Sequence, residues 1–166
     1  MIRVDSTRRE LWFEGRGIPC AIGKSGAVPE AAKREGDGAS PLGRYALLGA
    51  LLRPDRVRAP AMDLPWRSMR PWDGWCDAPA DPLYNRPVAH PWRSSAERLW
   101  RDDHVYDVIV VLNHNSAPVV PGAGSAIFWH LTSPDRSPTE GCIAIDAARM
   151  LEMLPKLKAG MPFEIG

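Results

Sequence analysis

Between residues 53 and 104 the chain carries many of its 17 prolines and five of its seven tryptophans, in segments such as LPWRSMRPWDGWCDAPADPLYNRPVAHPW. Proline fixes φ and removes an amide donor, so neither a continuous helix nor a central strand can run through this stretch. A long irregular insertion inside a compact domain is functional or disordered. The tryptophans favour an ordered loop packed on a core that the flanking segments build. One short helix is expected within it, at SSAERLW, where Ser94 and Glu97 have capping-box spacing.

The flanking segments read as strands. IRV at 2–4, ELWFE at 10–14 and IPCAI at 18–22 are short β-type runs separated by STRR and GRG turn signals. A Gly/Ser/Pro loop at 36–43 leads into a strand beginning near Arg44. YDVIVVL at 106–112 is an uninterrupted apolar, β-branched run, the pattern of a central buried strand, and AIFWH at 126–130 is a second strand. Asp146 is placed to cap a helix over AARMLEML, with Met150, Leu151 and Leu154 on one face. Pro155 bends or ends that helix, and Gly160 precedes a last strand, PFEI. The expected fold class is mainly β, a β-rich α+β domain with one or two short helices, spanning residues 1–166. That length buries a core without disulfide or metal.

Charge narrows the partners. With 25% charged residues and a formal net charge of +1, there is no basic field to hold a phosphate backbone, so no nucleic acid partner is expected. The signs are mixed along the chain, which argues against a membrane-surface segment. MIRVDSTRRELWFEG has no apolar stretch of signal-peptide or membrane-span length, and the expectation is a cytoplasmic protein. Cys20, Cys76 and Cys142 are odd in number and form no CxxC, which suggests neither a disulfide framework nor a zinc site. His90, His104, His114 and His130 show no ligand spacing, and phosphate-loop and dinucleotide fingerprints are missing, so no metal and no cofactor is expected.

One constellation carries chemistry. Cys142 sits in TEGCIAID, where Gly141 permits a tight turn and close approach of a substrate backbone. Main-chain N–H groups around such a turn can face a developing oxyanion. His130 ends a predicted strand twelve residues earlier, and the loop LTSPDRSPTEG lets the two side chains meet at one sheet end. A neutral imidazole there takes the thiol proton and returns it to a leaving amine. An activated cysteine of this kind is expected to titrate well below the ordinary thiol range. From spacing alone the structural reading is favoured, because a cysteine after glycine is most often a small buried hydrophobe.

Resemblance reverses that balance. SAIFWH, a polar loop and then TEGCIAI is similar to the L,D-transpeptidase (YkuD-type) motif, in which a histidine precedes a Ser/Thr-His-Gly-Cys segment. KREGDGASPLGRY resembles that family's Thr-Pro-x-Gly-x-Phe segment, with Ser40, Pro41, Gly43 and Tyr45 in the matching places. DGWCDAPADPLYNRP and PVVPGAGSAIFWH resemble segments of a signal-less bacterial branch. The resemblance implies a YkuD-like mixed β-sandwich or barrel, with Cys142 as nucleophile, His130 as base and Gly141 in the catalytic turn. Thr139 matches the Ser/Thr of the motif, and Glu140 stands where many members have a second histidine. Ala144 replaces an arginine common after the cysteine, and Arg44, Arg86 and Arg136 are candidates to replace it, Arg44 being taken into the substrate-binding set.

Ser125 is expected to bond substrate or orient His130, and Trp75, Tyr84 and Asn85 either line a peptide cleft or anchor the insertion. His114 stays outside the catalytic set. The resemblance further implies a peptidoglycan tetrapeptide or muropeptide as substrate. Cleavage between the L-centre of its diamino acid and terminal D-alanine through a thioester gives an L,D-carboxypeptidase if water resolves it, and an L,D-transpeptidase if an amine does. A non-catalytic module that binds peptidoglycan peptides is the reading from another class.

Overall fold

The computed structural model describes residues 1–166 and contains thirteen strands and one α-helix. Strands β1 (Ile2–Asp5), β2 (Glu10–Phe13) and β3 (Arg16–Pro19) form the expected meander, with Arg9 and Glu14 in positive-φ turn conformations. β3 ends at Pro19, earlier than IPCAI suggested. Residues 20–22 continue across the barrel mouth, where Ala21 forms an isolated bridge to Ala144. β4 (Ala27–Pro29) runs parallel to the start of β5 (Ser40–Leu52), and a 3-10 turn at Glu30–Ala32 follows β4. β5 begins at Ser40 and not near Arg44, because β4 pairs with Ser40, Pro41 and Leu42.

The large sheet runs β12 (Ile143–Ile145), β11 (Phe128–Leu131), β10 (Val108–Leu112), β5, β13 (Pro162–Ile165), β1, β2, β3. Because the segment after β3 bridges back to β12, its two ends nearly close on each other. YDVIVVL contains the central strand β10, flanked by β5 and β11. Side chains alternate across a strand. Val108, Val110 and Leu112 therefore enter the main core with Trp129, Leu131, Ile143, Ile145 and Phe163, whereas Ile109 and Phe128 face a second, smaller core.

Helix α1 (Ala147–Met153) starts at Asp146, whose carboxylate accepts the Arg149 N–H as foreseen, and a 3-10 turn at Leu154–Lys156 follows it. Its inner face is Met150, Met153 and Leu154; Leu151 is exposed. An i, i+3, i+4 set starting at Met150 turns a different stripe to the core than one that includes its neighbour Leu151.

The proline-rich insertion is ordered and contains four strands. β6 (Trp66–Ser68) joins β5 in parallel, and β7 (Asp73–Cys76), β8 (Pro87–Ala89) and β9 (Ala96–Arg98) form a separate three-stranded sheet. Pro87 lies on an edge strand of that sheet, where a missing N–H costs no ladder bond. The helix expected at SSAERLW is strand β9. Ser94 Oγ donates to Asp81 at 2.6 Å in place of capping a turn, and Trp75 pairs with Glu97 across the ladder. No helix is long and apolar enough to cross a membrane.

Candidate active site

Strands β11 and β12 are parallel neighbours, with Trp129 opposite Ile143 and His130 opposite Ala144. Alternation sends Trp129 and Ile143 into the main core and turns His130, Cys142 and Ala144 to the other face. There they line one cleft of about 580 Å³. The insertion supplies Asp77, Glu97, Arg101 and Asp103 to the same cleft, and the stretch before β5 supplies Lys33 and Glu35.

The turn that presents Cys142 is built by side chains from distant segments. Gly141 has φ +140, and a Cβ there would sit 2.8 Å from the Ala39 carbonyl oxygen, so the position tolerates only glycine. Ser40 Oγ donates to the Gly141 carbonyl at 2.8 Å and accepts the Gly23 N–H. Thr139 Oγ1 donates to the Cys142 carbonyl at 2.6 Å and accepts the Gly141 N–H at 3.1 Å. The Cys142 N–H itself has no partner in the protein, which leaves it free for an oxyanion.

The Cys142 thiol donates to the Ala126 carbonyl at 3.1 Å, and the Phe128 N–H points at the sulfur from 3.4 Å. Ala126 holds this orientation at φ +53, a left-handed conformation unfavourable for a residue with a Cβ. Asn85 stabilises it: its Oδ1 accepts the Ala126 N–H and the Trp75 indole N–H, and its Nδ2 donates to the carbonyls of His114 and Asn115.

His130 Nδ1 bonds the Leu131 carbonyl oxygen at 2.8 Å, and its ring meets Tyr106 edge-on at 5.0 Å. Burial lowers its pKa to about 4. Burial also pushes the Cys142 thiol up to about 12, with the Glu97 carboxylate adding to the rise and the Phe128 N–H opposing it. The low-pKa thiol expected of an activated cysteine is therefore absent from the resting site. No hydrogen bond joins thiol to imidazole, and each is paired with a backbone carbonyl. Desolvation disfavours both charged forms, so the pair rests as neutral thiol and neutral imidazole.

Residues 1–165 match the family model of the L,D-transpeptidase catalytic domain, YkuD. The chain belongs to that family. Among solved structures, an L,D-transpeptidase from Mycobacterium smegmatis is similar over 99% of this chain and 57% of its own, at 12% identity and a TM-score of 0.46. L,D-transpeptidase 1 of Mycobacterium tuberculosis is similar over 99% and 60%, at 9% identity and a TM-score of 0.44. A structure of the L,D-transpeptidase LdtMt1 in complex with imipenem matches at 13% identity, a TM-score of 0.44 and coverage of 99% and 57%. The chain thus spans less than two thirds of these structures' length. None of the curated proteins matches it.

Of the residues assigned to this YkuD site from the sequence, Cys142, His130, Ser125, Thr139 and Glu140 line the cleft and Gly141 shapes its turn. Thr139 spends its hydroxyl on the turn, and Glu140 lies at the exposed rim, paired with Lys24 at 2.8 Å. Trp75, Tyr84 and Asn85 do not line the cleft. They are packing anchors: Trp75 sits edge-on to Phe128 at 5.1 Å, and Tyr84 accepts the Gly124 N–H at 3.0 Å. Arg44 is exposed on β5 opposite Glu164 and also stands outside the cleft, as do Arg86, bonded to the Ser116 carbonyl, and Arg136.

Sequence reasoning missed Glu35, which accepts hydrogen bonds from both Ser125 and Tyr84, and the Glu97–Tyr106 pair, in which the Tyr106 hydroxyl donates to Glu97. Burial raises the Glu97 carboxyl pKa. It also missed Arg101. No local pattern marks these residues, because their partners come from segments distant in the chain.

Proposed function

We propose that the chain is an L,D-carboxypeptidase that trims peptidoglycan tetrapeptides to tripeptides through a Cys142 thioester. The observation that carries this reading is the cleft that Cys142 and His130 both line, with a Cys142 N–H that no protein group engages. Cys142 Sγ attacks the carbonyl between the L-centre of the diamino acid and terminal D-alanine, and the thiol proton passes to His130 Nε2 as the S–C bond forms. The carbonyl oxygen gathers charge facing the Cys142 N–H. His130 returns the proton to the alanine nitrogen as the C–N bond breaks. Water then adds to the thioester and gives a proton to His130, which passes it to the departing sulfur.

Membership of the YkuD family supports the substrate class. A volume of about 580 Å³ is that of a site for one small ligand. The setting proposed is the cytoplasm, where soluble tetrapeptides released by wall turnover form the substrate pool. The test offers the protein a defined tetrapeptide with and without excess acceptor amine, and follows products by mass. Tripeptide and free D-alanine are expected, lost in Cys142→Ala and kept in Cys20→Ala and Cys76→Ala. Dominant cross-linked dimer would establish the transpeptidase in its place, and no reaction of either kind would overturn the acyl-transfer reading.

A further inference from the structure

Two cations line the cleft, against the carboxylates of Glu35, Asp77, Glu97, Asp103 and Glu140. One of them, Lys33, is buried and committed to Asp37 and to the Arg34 carbonyl. The other, Arg101, is held ready. Its Nε and Nη2 fork onto Asp103 at 2.8 and 2.6 Å, and Nη1 has no partner in the protein. The backbone beneath it is fixed as well: Arg53 donates to the Arg101 carbonyl at 2.6 Å, and Arg56 to the carbonyls of Asp102 and Asp103 at 3.0 and 2.6 Å. The guanidinium lies over the Tyr106 ring at 5.3 Å, and that ring meets His130 at 5.0 Å. Arg101 therefore stands one aromatic ring away from the base. Ala144, opposite His130 in the β11–β12 register, lines the same cleft.

From this arrangement we infer that Arg101 is a specificity-determining residue that binds the free terminal carboxylate of the substrate beside the reacting carbonyl, with Asp103 holding the guanidinium in place. A guanidinium offers five N–H donors in a rigid plane, and the ones Asp103 leaves unused suit a planar carboxylate. The inference rests on the acyl-transfer reading of Cys142 and deepens it: a site that reads the terminal carboxylate removes one terminal residue and spares internal bonds.

The experiment compares kcat/KM for a tetrapeptide ending in free D-alanine with the same peptide ending in D-alanine amide. The unsubstituted protein is expected to prefer the free acid by about 10- to 100-fold, the range of a charge-assisted hydrogen bond. Arg101→Gln should bring that ratio close to one, and Arg101→Lys should keep part of it. Equal rates on acid and amide in the unsubstituted protein would overturn the inference. So would an Arg101→Gln variant that slows both substrates equally, because that pattern reports the bracing of Tyr106. Binding of the two peptides to Cys142→Ala, measured by calorimetry, applies the same comparison without turnover. A preference for the acid that vanishes with Arg101→Gln in this background would support the inference even where cleavage fails, and its absence would sink it.

Discussion

Acidification tests the buried state of His130 directly. The residue is 6% exposed and its pKa is depressed from 6.5 to about 4, mainly by desolvation. In the unfolded chain the same imidazole takes a proton near pH 6.5. Below that pH the unfolded state binds a proton that the native state refuses, so the stability tied to the neutral ring is complete above pH 6.5 and is lost as the pH falls towards 4. At about 1.4 kcal/mol per pKa unit, the loss reaches about 2.5 kcal/mol at pH 4.5.

The control is His130→Asn, whose amide can still donate to the Leu131 carbonyl but does not titrate. Urea unfolding of both proteins, followed by tryptophan fluorescence, gives the stability difference from pH 7.5 to 4.5. Trp129, fully buried next to His130, makes that signal local as well as global. The native chain should lose about 2.5 kcal/mol more than the variant over this range, or about 5 to 10 °C in Tm for a domain of this size. His114, which burial also depresses, is common to both proteins and cancels. A stability difference that stays constant with pH would refute the reasoning, because it would mean that His130 is solvated or already charged in the native state.

With its thiol raised to about 12, Cys142 should react with iodoacetamide at a rate that climbs about tenfold per pH unit through pH 10, read by mass on the tryptic peptide 137–149; a plateau below pH 9 would reveal a resting thiolate. Asn85→Ala removes two acceptor and two donor bonds at a buried position and should destabilise the fold by about 2–4 kcal/mol. It should also lower kcat, since the Ala126 carbonyl that positions the thiol loses its support; full activity at unchanged stability would remove Asn85 from this role.

The strands with a strong apolar, β-type signal were legible in the chain: β10 in YDVIVVL, β11 in AIFWH although it starts only at Phe128, β13 in PFEI, and with them the Asp146 cap of α1. Each depends on the hydrophobic pattern or the side-chain chemistry of its own few residues. Cys142, Gly141 and His130 were legible as a constellation only because TEGCIAI and SAIFWH resemble a known family motif. The family match over residues 1–165 bears that resemblance out.

Burial and long-range pairing decided the rest. SSAERLW has a helix-start signature, yet β7 offers its backbone a full ladder, and cross-strand pairing prevails over a cap worth about 1 kcal/mol. Trp75, Tyr84 and Asn85 have the composition of a cleft wall, and the fold uses them as the frame that sets the Ala126 carbonyl. Arg44, Arg86 and Arg136 are as cationic as Arg101, but only Arg101 is delivered to the cleft, by a loop that Arg53 and Arg56 hold from behind. The protonation of the site also belongs to the tertiary structure. Residue identities supply a thiol and an imidazole with ordinary affinities for protons. The desolvation that drives one up to about 12 and the other down to about 4 exists only once the insertion and the sheet enclose them.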